Sequence, residues 1–245
     1  MNILLLIQEF KRIKKMGYIK AVNQNHNATG RTFEKMLGIS ENNLRYSDYY
    51  GIEIKCFSIS QNSFLSLFSI EPESINGNVI KRIALKYGYA DKKYDSHNIL
   101  NTYVNGLAPK YISLKYRGLL YINTISQSLN LLVLGKYDLL YDFSANWSFE
   151  RLNDKFQCKC QTLAVINTVT KRINGVLYVK YISMTIYEFK GFIKFLEAID
   201  SGSIRVSFKL TVSKREEEFY YHNHGTTFEI DIQRISDIYK KIYKI

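Results

Sequence analysis

The sequence predicts an α/β (α+β) protein in which a mixed β-sheet is flanked by helices. Three observations lead there. Near the start, Ile3, Leu6, Ile7, Phe10 and Ile13 recur at helical spacing. From Thr102 to Phe143, Tyr, Leu, Ile and Val alternate with turn signals, as in successive antiparallel strands. Between two strand-like runs, about 161–170 and 176–186, Asn174-Gly175 offers the residue pair that a tight hairpin turn needs.

The remaining elements follow in order. Residues 2 to about 16 form the first helix, and a polar loop, Asn23 to Asn27, leads to a short helix over Arg31–Leu37. Thr29 or Thr32 can cap that helix, and Gly38 ends it in the left-handed conformation. Ile52-Glu53-Ile54-Lys55 alternates as a strand, with Ser63–Ser69 as an adjacent strand. A polar connection through Pro72 to Gly77 precedes a helix over Val79–Tyr87. Trp147–Phe156 reads as a helix capped by Asn146 or Ser148, and Glu188–Ile199 as another that stops at Ser201-Gly202. Strands at Ser203–Val212 and Phe219–Ile230 and a last helix, Ile232–Tyr243, complete the chain.

A chain of 245 residues with 46% hydrophobic residues and two prolines can bury a large core, which excludes a disordered protein. Lys and Arg outnumber Asp and Glu by 34 to 22, and the +12 excess is spread along the chain. With 20 Tyr and 14 Phe this suits a polyanion-binding surface, although a Lys- and Tyr-rich composition can also reflect an AT-rich genome. Three cysteines argue against a disulfide framework and for a reducing cytoplasm. Cys158 and Cys160 fall on one face of a predicted strand and lack the second pair that a zinc site requires. Neither a signal peptide nor a membrane helix is expected.

The chemistry concentrates in Gly30 to Lys55. On a strand, Glu53 and Lys55 project to one face while Ile52 and Ile54 point into apolar packing. Asp48 precedes them in a loop, so two carboxylates and an ammonium converge. Hard oxygen ligands suit Mg²⁺, and a cation beside the attacking water or the phosphate completes a set able to hydrolyse a phosphodiester. Asp48 and Glu53 would hold the metal, with Ile54 between Glu53 and Lys55 in the metal set. Lys55 would orient or help deprotonate water, its pKa lowered by burial and the nearby ion. The spacing D-x4-E-x-K also occurs by chance, on an exposed strand with a surface Glu and Lys. Glu34, inside its short helix, can turn inward as a third carboxylate or stay in solvent.

The stretches TGRTFEKMLGISENN, SDYYGIEIKCFS and SFLSLFS resemble the core of the MvaI/BcnI family of type II restriction endonucleases, itself similar to the mismatch-repair nicking enzyme MutH. That family carries TG-x-TLE-x-LLGI-x-x-N, then P-D-x-x-GIELK, then LTLF. HNHGTTFEI resembles its HGT-x-F segment, and NWSFERLNDKF and GFIKFLEAIDSGSIRVSF fit as well, so the likeness spans most of the chain. Ser47 stands where the family has proline and Phe33 where it has leucine; neither removes a functional group.

The resemblance implies a restriction-endonuclease-like core with a DNA-binding cleft, in a single domain over 1–245 with two lobes. One lobe is catalytic, about 1–100 plus parts of the remainder; the other recognises DNA, within about 101–245. It implies Mg²⁺-dependent cleavage of double-stranded DNA at a short pseudopalindromic site, with Mn²⁺ able to substitute. It also implies a monomer that nicks one strand at a time, with Asp48, Glu53, Lys55 and Glu34 catalytic, and a cognate DNA methyltransferase as functional partner. A MutH-type nickase and a non-catalytic DNA-binding protein are the alternatives.

His222 and His224 project to one side of an extended stretch, and Gly225 allows close backbone approach. Two histidines without a third ligand make a poor metal site. The resemblance places His222, His224, Gly225 and Thr226 against DNA, where imidazoles read base edges, with Lys209, Lys214 and Arg215 contacting phosphate or guanine. An exposed His222 and a turn-forming His224 are the plain alternative.

Overall fold

A computed structural model describes residues 2–25, 27–39, 47–58, 63–74, 77–135 and 140–245, with only the course of the chain over 140–144. His26, Ser40–Asn43 of the first resembling stretch, residues 75 and 76 of the polar connection and 136–139 of the β-rich region lie outside the described residues. The chain forms two compact units and passes between them repeatedly. Unit one comprises Met1–Leu65, Lys155–Gly191 and Ile238–Ile245; unit two comprises Ser66–Asp154 and Phe192–Asp237.

In unit one, α1 (Asn2–Lys15) buries Leu6, Ile7, Phe10 and Ile13, the stripe its spacing predicts. After β1 (Ile19–Lys20) the chain enters α2 (Ala28–Met36), then β2 (Ile52–Ser58). β10 (Thr162–Ile173), β11 (Val176–Phe189) and β14 (Tyr239–Lys244) complete a five-stranded sheet. Its order is β1-β11-β10-β2, with β14 also paired to β11. β2 runs parallel to β10, and the other pairs are antiparallel. Asn174 and Gly175 (φ 49° and 78°) close the β10–β11 hairpin as their sequence predicts. Both helices cover one sheet face, where Ile52, Ile54, Ala164, Ile166, Val179 and Tyr181 meet Phe10 and Phe33.

Unit two holds β3 (Phe64–Ser69, from Ser66 onward), α3 (Val79–Tyr87), β4 (Tyr89–Ala90), β5 (Asn98–Val104), β6 (Lys110–Tyr111) and β7 (Arg117–Asn123). β8 (Ser128–Leu134), β9 (Leu140–Ser148), α4 (Phe149–Lys155, ending at the unit boundary), α5 (Phe192–Asp200), β12 (Ile204–Arg215) and β13 (Glu218–Asp231) follow. One sheet has the order β3-β13-β12-β5-β4 and a second, antiparallel, β6-β7-β8-β9. Asn78 caps α3, its side chain accepting from the Lys81 amide at 3.0 Å. Phe68, Phe195, Phe228 and Trp147 form an aromatic core.

Several elements depart from the sequence reading, each because a tertiary partner outweighs local preference. Among the described residues β3 pairs with β13 and not with β2, and Phe68 stacks on Phe228 at 5.1 Å. Trp147 belongs to β9, opposite Leu129, because its fully buried indole finds an acceptor there, the Ile70 carbonyl at 3.1 Å. Cys158 and Cys160 lie not on a strand but in a π-helical turn, Phe156–Cys160, whose last carbonyl accepts from the Tyr239 hydroxyl at 3.0 Å. β11 continues through Glu188 and Phe189 because these pair with Lys240 and Tyr239, and α5 starts only after Gly191 turns at φ 107°. The final helix reduces to a 3₁₀ turn, Ile232–Asp237, followed by β14 on the open side of β11.

α2 begins at Ala28, earlier than its sequence suggests. Neither Thr29 nor Thr32 caps it: Asn27 holds the N-cap position without a side-chain bond, and the Thr32 hydroxyl donates to the Ala28 carbonyl inside the helix. Its end is as expected. Gly38 (φ 72°) donates to the Lys35 carbonyl and Ile39 to the Glu34 carbonyl, a Schellman closure. The preceding polar loop is tied down, since Gln24 Oε1 accepts from Leu177 N and Arg172 Nη1, both at 3.0 Å.

Candidate active site

A tight turn sets the site. Tyr49 and Ile52 exchange backbone hydrogen bonds at 3.0 and 2.9 Å around Tyr50 (φ 46°) and Gly51 (φ 89°). Glycine adopts that conformation freely, whereas Tyr50 holds it at a cost of about 1–2 kcal/mol. The turn sends Asp48 back along the edge of β2 that faces away from β10, where its Oδ2 accepts from the Ile54 amide at 2.9 Å. The carboxylate is thus held by the main chain of the strand bearing Glu53 and Lys55.

Alternation does the rest. Ile52 and Ile54 sink into the core, while Glu53 and Lys55 share the opposite face with their β10 partners Leu163 and Val165. Glu53 is only 1% exposed. Its Oε1 lies 2.6 Å from Lys55 Nζ and 3.5 Å from Lys159 Nζ. Burial raises the Glu53 pKa and the Asp48 charge raises it further, against the pull of the two lysines. Burial pulls Lys55 down, but the Glu53 carboxylate, with Cys160 and Asp48 adding to it, outweighs this, so the net direction is upward and not downward as its sequence suggests.

Lys159 is a member that sequence reasoning missed. It sits in the π-helical turn between two cysteines, and no spacing in the sequence links it to Glu53. Beside it, burial pushes the Cys160 thiol up to about 12, so this cysteine is inert packing.

Glu34 approaches from the other side. α2 packs on the helix-covered face, and the Glu34 charge is felt by the Cys56 thiol and the Tyr181 phenol there, adding to the effect of burial in raising both. Among the described residues no three His, Cys, Asp or Glu side chains form a metal-binding group. The structure therefore brings Asp48, Glu53 and Lys55 together, adds Lys159, and leaves Glu34 near Cys56.

The donor set fits a divalent cation. Glu53 Oε2 is buried and takes no hydrogen bond, a condition that is costly for a carboxylate unless a cation completes it. Two carboxylates with room for water and phosphate oxygens suit Mg²⁺, which rarely takes an all-protein cage.

Unit two carries a second polar constellation. Along β12, Ile204, Val206, Phe208, Leu210 and Val212 are buried, so Arg205, Ser207, Lys209, Thr211 and Ser213 line the outer face. In β13, Thr226 pairs with Phe208 and Asn223 with Leu210, leaving His224 and Gly225 opposite Lys209 as a bulge. Gly225 (φ 95°) permits the bulge, and its amide donates to Asn223 Oδ1 at 2.9 Å. His222 Nε2 meets Ser213 Oγ at 2.6 Å, and His224 Nε2 meets Thr211 Oγ1 at 2.9 Å. These hydroxyls fix both rings on the outer face. Arg215 lies exposed at the hairpin end.

Thr226, which the resemblance sets against DNA, lies beneath the outer face. It is fully buried and donates both amide and hydroxyl to the Glu71 carboxylate, so it supports the bulge from beneath. Sequence reading also missed an outer-face network. Glu229 accepts from Arg205 Nε at 2.7 Å and Ser207 Oγ at 2.8 Å, and the Arg205 guanidinium lies 4.5 Å from the Tyr103 ring centroid. Strict alternation along β12 was the available signal.

The sequence matches the MvaI/BcnI restriction endonuclease family over residues 7–239. Among solved structures it is similar to restriction endonuclease MvaI in complex with cognate DNA substrate: 27% identity, TM-score 0.87, covering 97% of this chain and 96% of that one. It is also similar to MvaI in the absence of DNA, with 26% identity and TM-score 0.61 over 98% and 96% of the two chains. No curated protein matches significantly.

Proposed function

The chain belongs to the MvaI/BcnI restriction endonuclease family and is a type II restriction endonuclease; from that premise we propose that Asp48, Glu53 and Lys55 form its catalytic centre. The observation that carries this is the buried, unpartnered Glu53 Oε2 beside Lys55 and the main-chain-anchored Asp48. The family works with divalent metal ions. Mg²⁺ is the ion proposed here, with Mn²⁺ as a substitute. Asp48 and Glu53 hold it through their carboxylates; Ile54, whose side chain is buried, can contribute only through its main chain. Bound there, the ion supplies Lewis-acid stabilisation of the phosphate charge and lowers the pKa of a bound water.

The chain's own residues do the positioning. The Asp48–Ile54 hydrogen bond fixes one carboxylate before substrate arrives, which removes an ordering cost from the reaction. Lys55 brings a cation to the same face, to orient the attacking water and the scissile phosphate. Lys159 balances Glu53 from a second element. Glu34 acts more remotely, through the edge of β2.

On the outer face of unit two, His222, His224, Lys209 and Arg215 meet double-stranded DNA; the similar MvaI structure is a complex with its cognate DNA substrate. Gly225 shapes that contact and Thr226 holds it from below. One catalytic constellation among the described residues fits a monomer that nicks one strand of a nearly symmetric site and then the other. The enzyme works in a reducing cytoplasm, in keeping with three cysteines that form no disulfide among the described residues. A cognate methyltransferase protects host DNA without contacting the enzyme.

Plasmid cleavage with Mg²⁺ tests this reading. Nicked circles should accumulate before linear DNA, at a rate proportional to protein concentration. Direct linearisation, with a rate rising as the square of concentration, would refute the monomer.

A further inference from the structure

We infer that the sheet face carrying Glu53 and Lys55 continues, at the far end of the β10–β11 hairpin, into a second DNA-binding surface: Lys20, Lys171 and Lys180 around Tyr18 grip the phosphate backbone of duplex flanking the target. This rests on the reading that DNA lies over the Glu53–Lys55 face. It extends the DNA footprint beyond the recognition site.

Strand register places the lysines. Leu163 and Val165 pair with Glu53 and Lys55 and share their face. Every second residue of β10 continues that face through Asn167 and Val169 to Lys171. The irregularity after Asn167 leaves the extra residue, Ile182, on β11 and not on β10, so alternation along β10 is unbroken. Beyond it Val169 pairs with Lys180 and Lys171 with Tyr178. On the next strand Ile19 pairs with Val179 and Lys20 with Tyr178, which places Lys20 on the same face. The helices α1 and α2 cover the opposite face.

The charges there are not those of a neutralised surface. Lys171 Nζ lies 3.8 Å and Lys180 Nζ 5.8 Å from the Tyr18 ring centroid, so an aromatic ring holds the two ammonium groups near each other. Among the described residues no carboxylate pairs with Lys20, Lys171 or Lys180. The sequence offers none nearby: residues 162–187 contain no Asp or Glu, and neither does the stretch between Glu9 and Glu34. An acid-free cluster of three lysines presented with tyrosine hydroxyls is suited to a polyanion with closely spaced phosphates.

Distance selects the part of the DNA. Six residues separate Val165, beside Lys55, from Lys171, or about 20 Å of strand. Along duplex DNA that corresponds to roughly six base pairs from the scissile phosphate. The lysines therefore touch flanking backbone and contribute no base readout.

The test compares wild type with the triple variant Lys20→Ala/Lys171→Ala/Lys180→Ala on two duplexes, one ending about three base pairs from the cut and one extending fifteen base pairs further each way. The expected result is weaker binding and slower cleavage at low protein concentration on the long duplex, with a salt-dependence slope smaller by up to about 2.7, or 0.9 for each phosphate no longer neutralised. The long duplex should lose its advantage over the short one. A Lys→Arg triple variant should restore it, and Lys11→Ala/Lys14→Ala/Lys15→Ala, which removes equal charge from α1, should not reproduce the effect. Wild type that cuts DNA but shows the same slope and length dependence as the Ala triple overturns this inference alone. Wild type that neither binds nor cuts DNA overturns the underlying reading with it.

Discussion

One oxygen of Glu53 lies 2.6 Å from Lys55 Nζ, while the other is buried and meets no hydrogen-bond donor. A carboxylate so divided is stabilised on one side and unsatisfied on the other. Replacing Asp48 or Glu53 by alanine should lower cleavage by about a thousand-fold or more, the several kcal/mol that metal assistance supplies, while DNA binding survives. Thermal unfolding gives an independent readout. Mg²⁺ at a hundred times its Kd should stabilise wild type by about 2.7 kcal/mol, and Glu53→Ala should lack that gain. Undiminished Mg²⁺ stabilisation in Glu53→Ala would place the ion elsewhere.

Lys55 and Glu34 separate the roles around that carboxylate. Lys55→Ala should abolish cleavage yet keep Mg²⁺-dependent stabilisation, because the lysine serves water and phosphate. Glu34→Gln should cost less than Glu53→Ala, since Glu34 reaches the strand from the Cys56 side. Single-turnover rates decide the order, and a Glu34→Gln variant as inactive as Glu53→Ala would put Glu34 in direct contact with the ion.

His222 and His224 are anchored by Ser213 and Thr211, so their removal should affect discrimination before affinity. Alanine at either position should reduce the preference for target over non-target DNA by roughly ten-fold, within the 1–3 kcal/mol of a good base contact, with the salt slope nearly unchanged. Competition binding measures both. A fall in slope with the preference intact would mark the histidines as phosphate contacts.

Glu73 provides a pH signature in unit two. The Ser148 side chain, the Ser148 amide donating at 3.0 Å and Arg151 at 3.6 Å together hold its pKa below the usual glutamate range, against the opposing effect of burial. The ionised form is favoured by folding, so its contribution is present above the ordinary value of about 4.3 and is lost as pH falls through the lower folded value. Glu73→Gln should flatten the decline in stability in that acid range. Denaturant midpoints from pH 6 down to 3 would show it, and identical slopes for both proteins would exclude the role.

By itself the sequence determined whatever depends on neighbours along the chain. The amphipathic stripe of α1, the Schellman end at Gly38, the Asn174-Gly175 turn and the common face of Glu53 and Lys55 all follow from a period of 3.6 or 2 and from residues that tolerate positive φ. Family-like motifs around Asp48 and His222 were legible for the same reason. What needed a partner from far along the chain was decided only by the tertiary structure. Ile232–Tyr243 has helical spacing but yields to the open edge of β11, and Trp147 leaves its predicted helix for a strand position where its indole N–H is satisfied. Thr226 turns inward because Glu71 accepts both of its donors, and Lys159 joins Glu53 from a π-helical turn. Burial, edge pairing and charge compensation are long-range interactions, and their energies exceed the few tenths of a kcal/mol per residue that local propensity supplies.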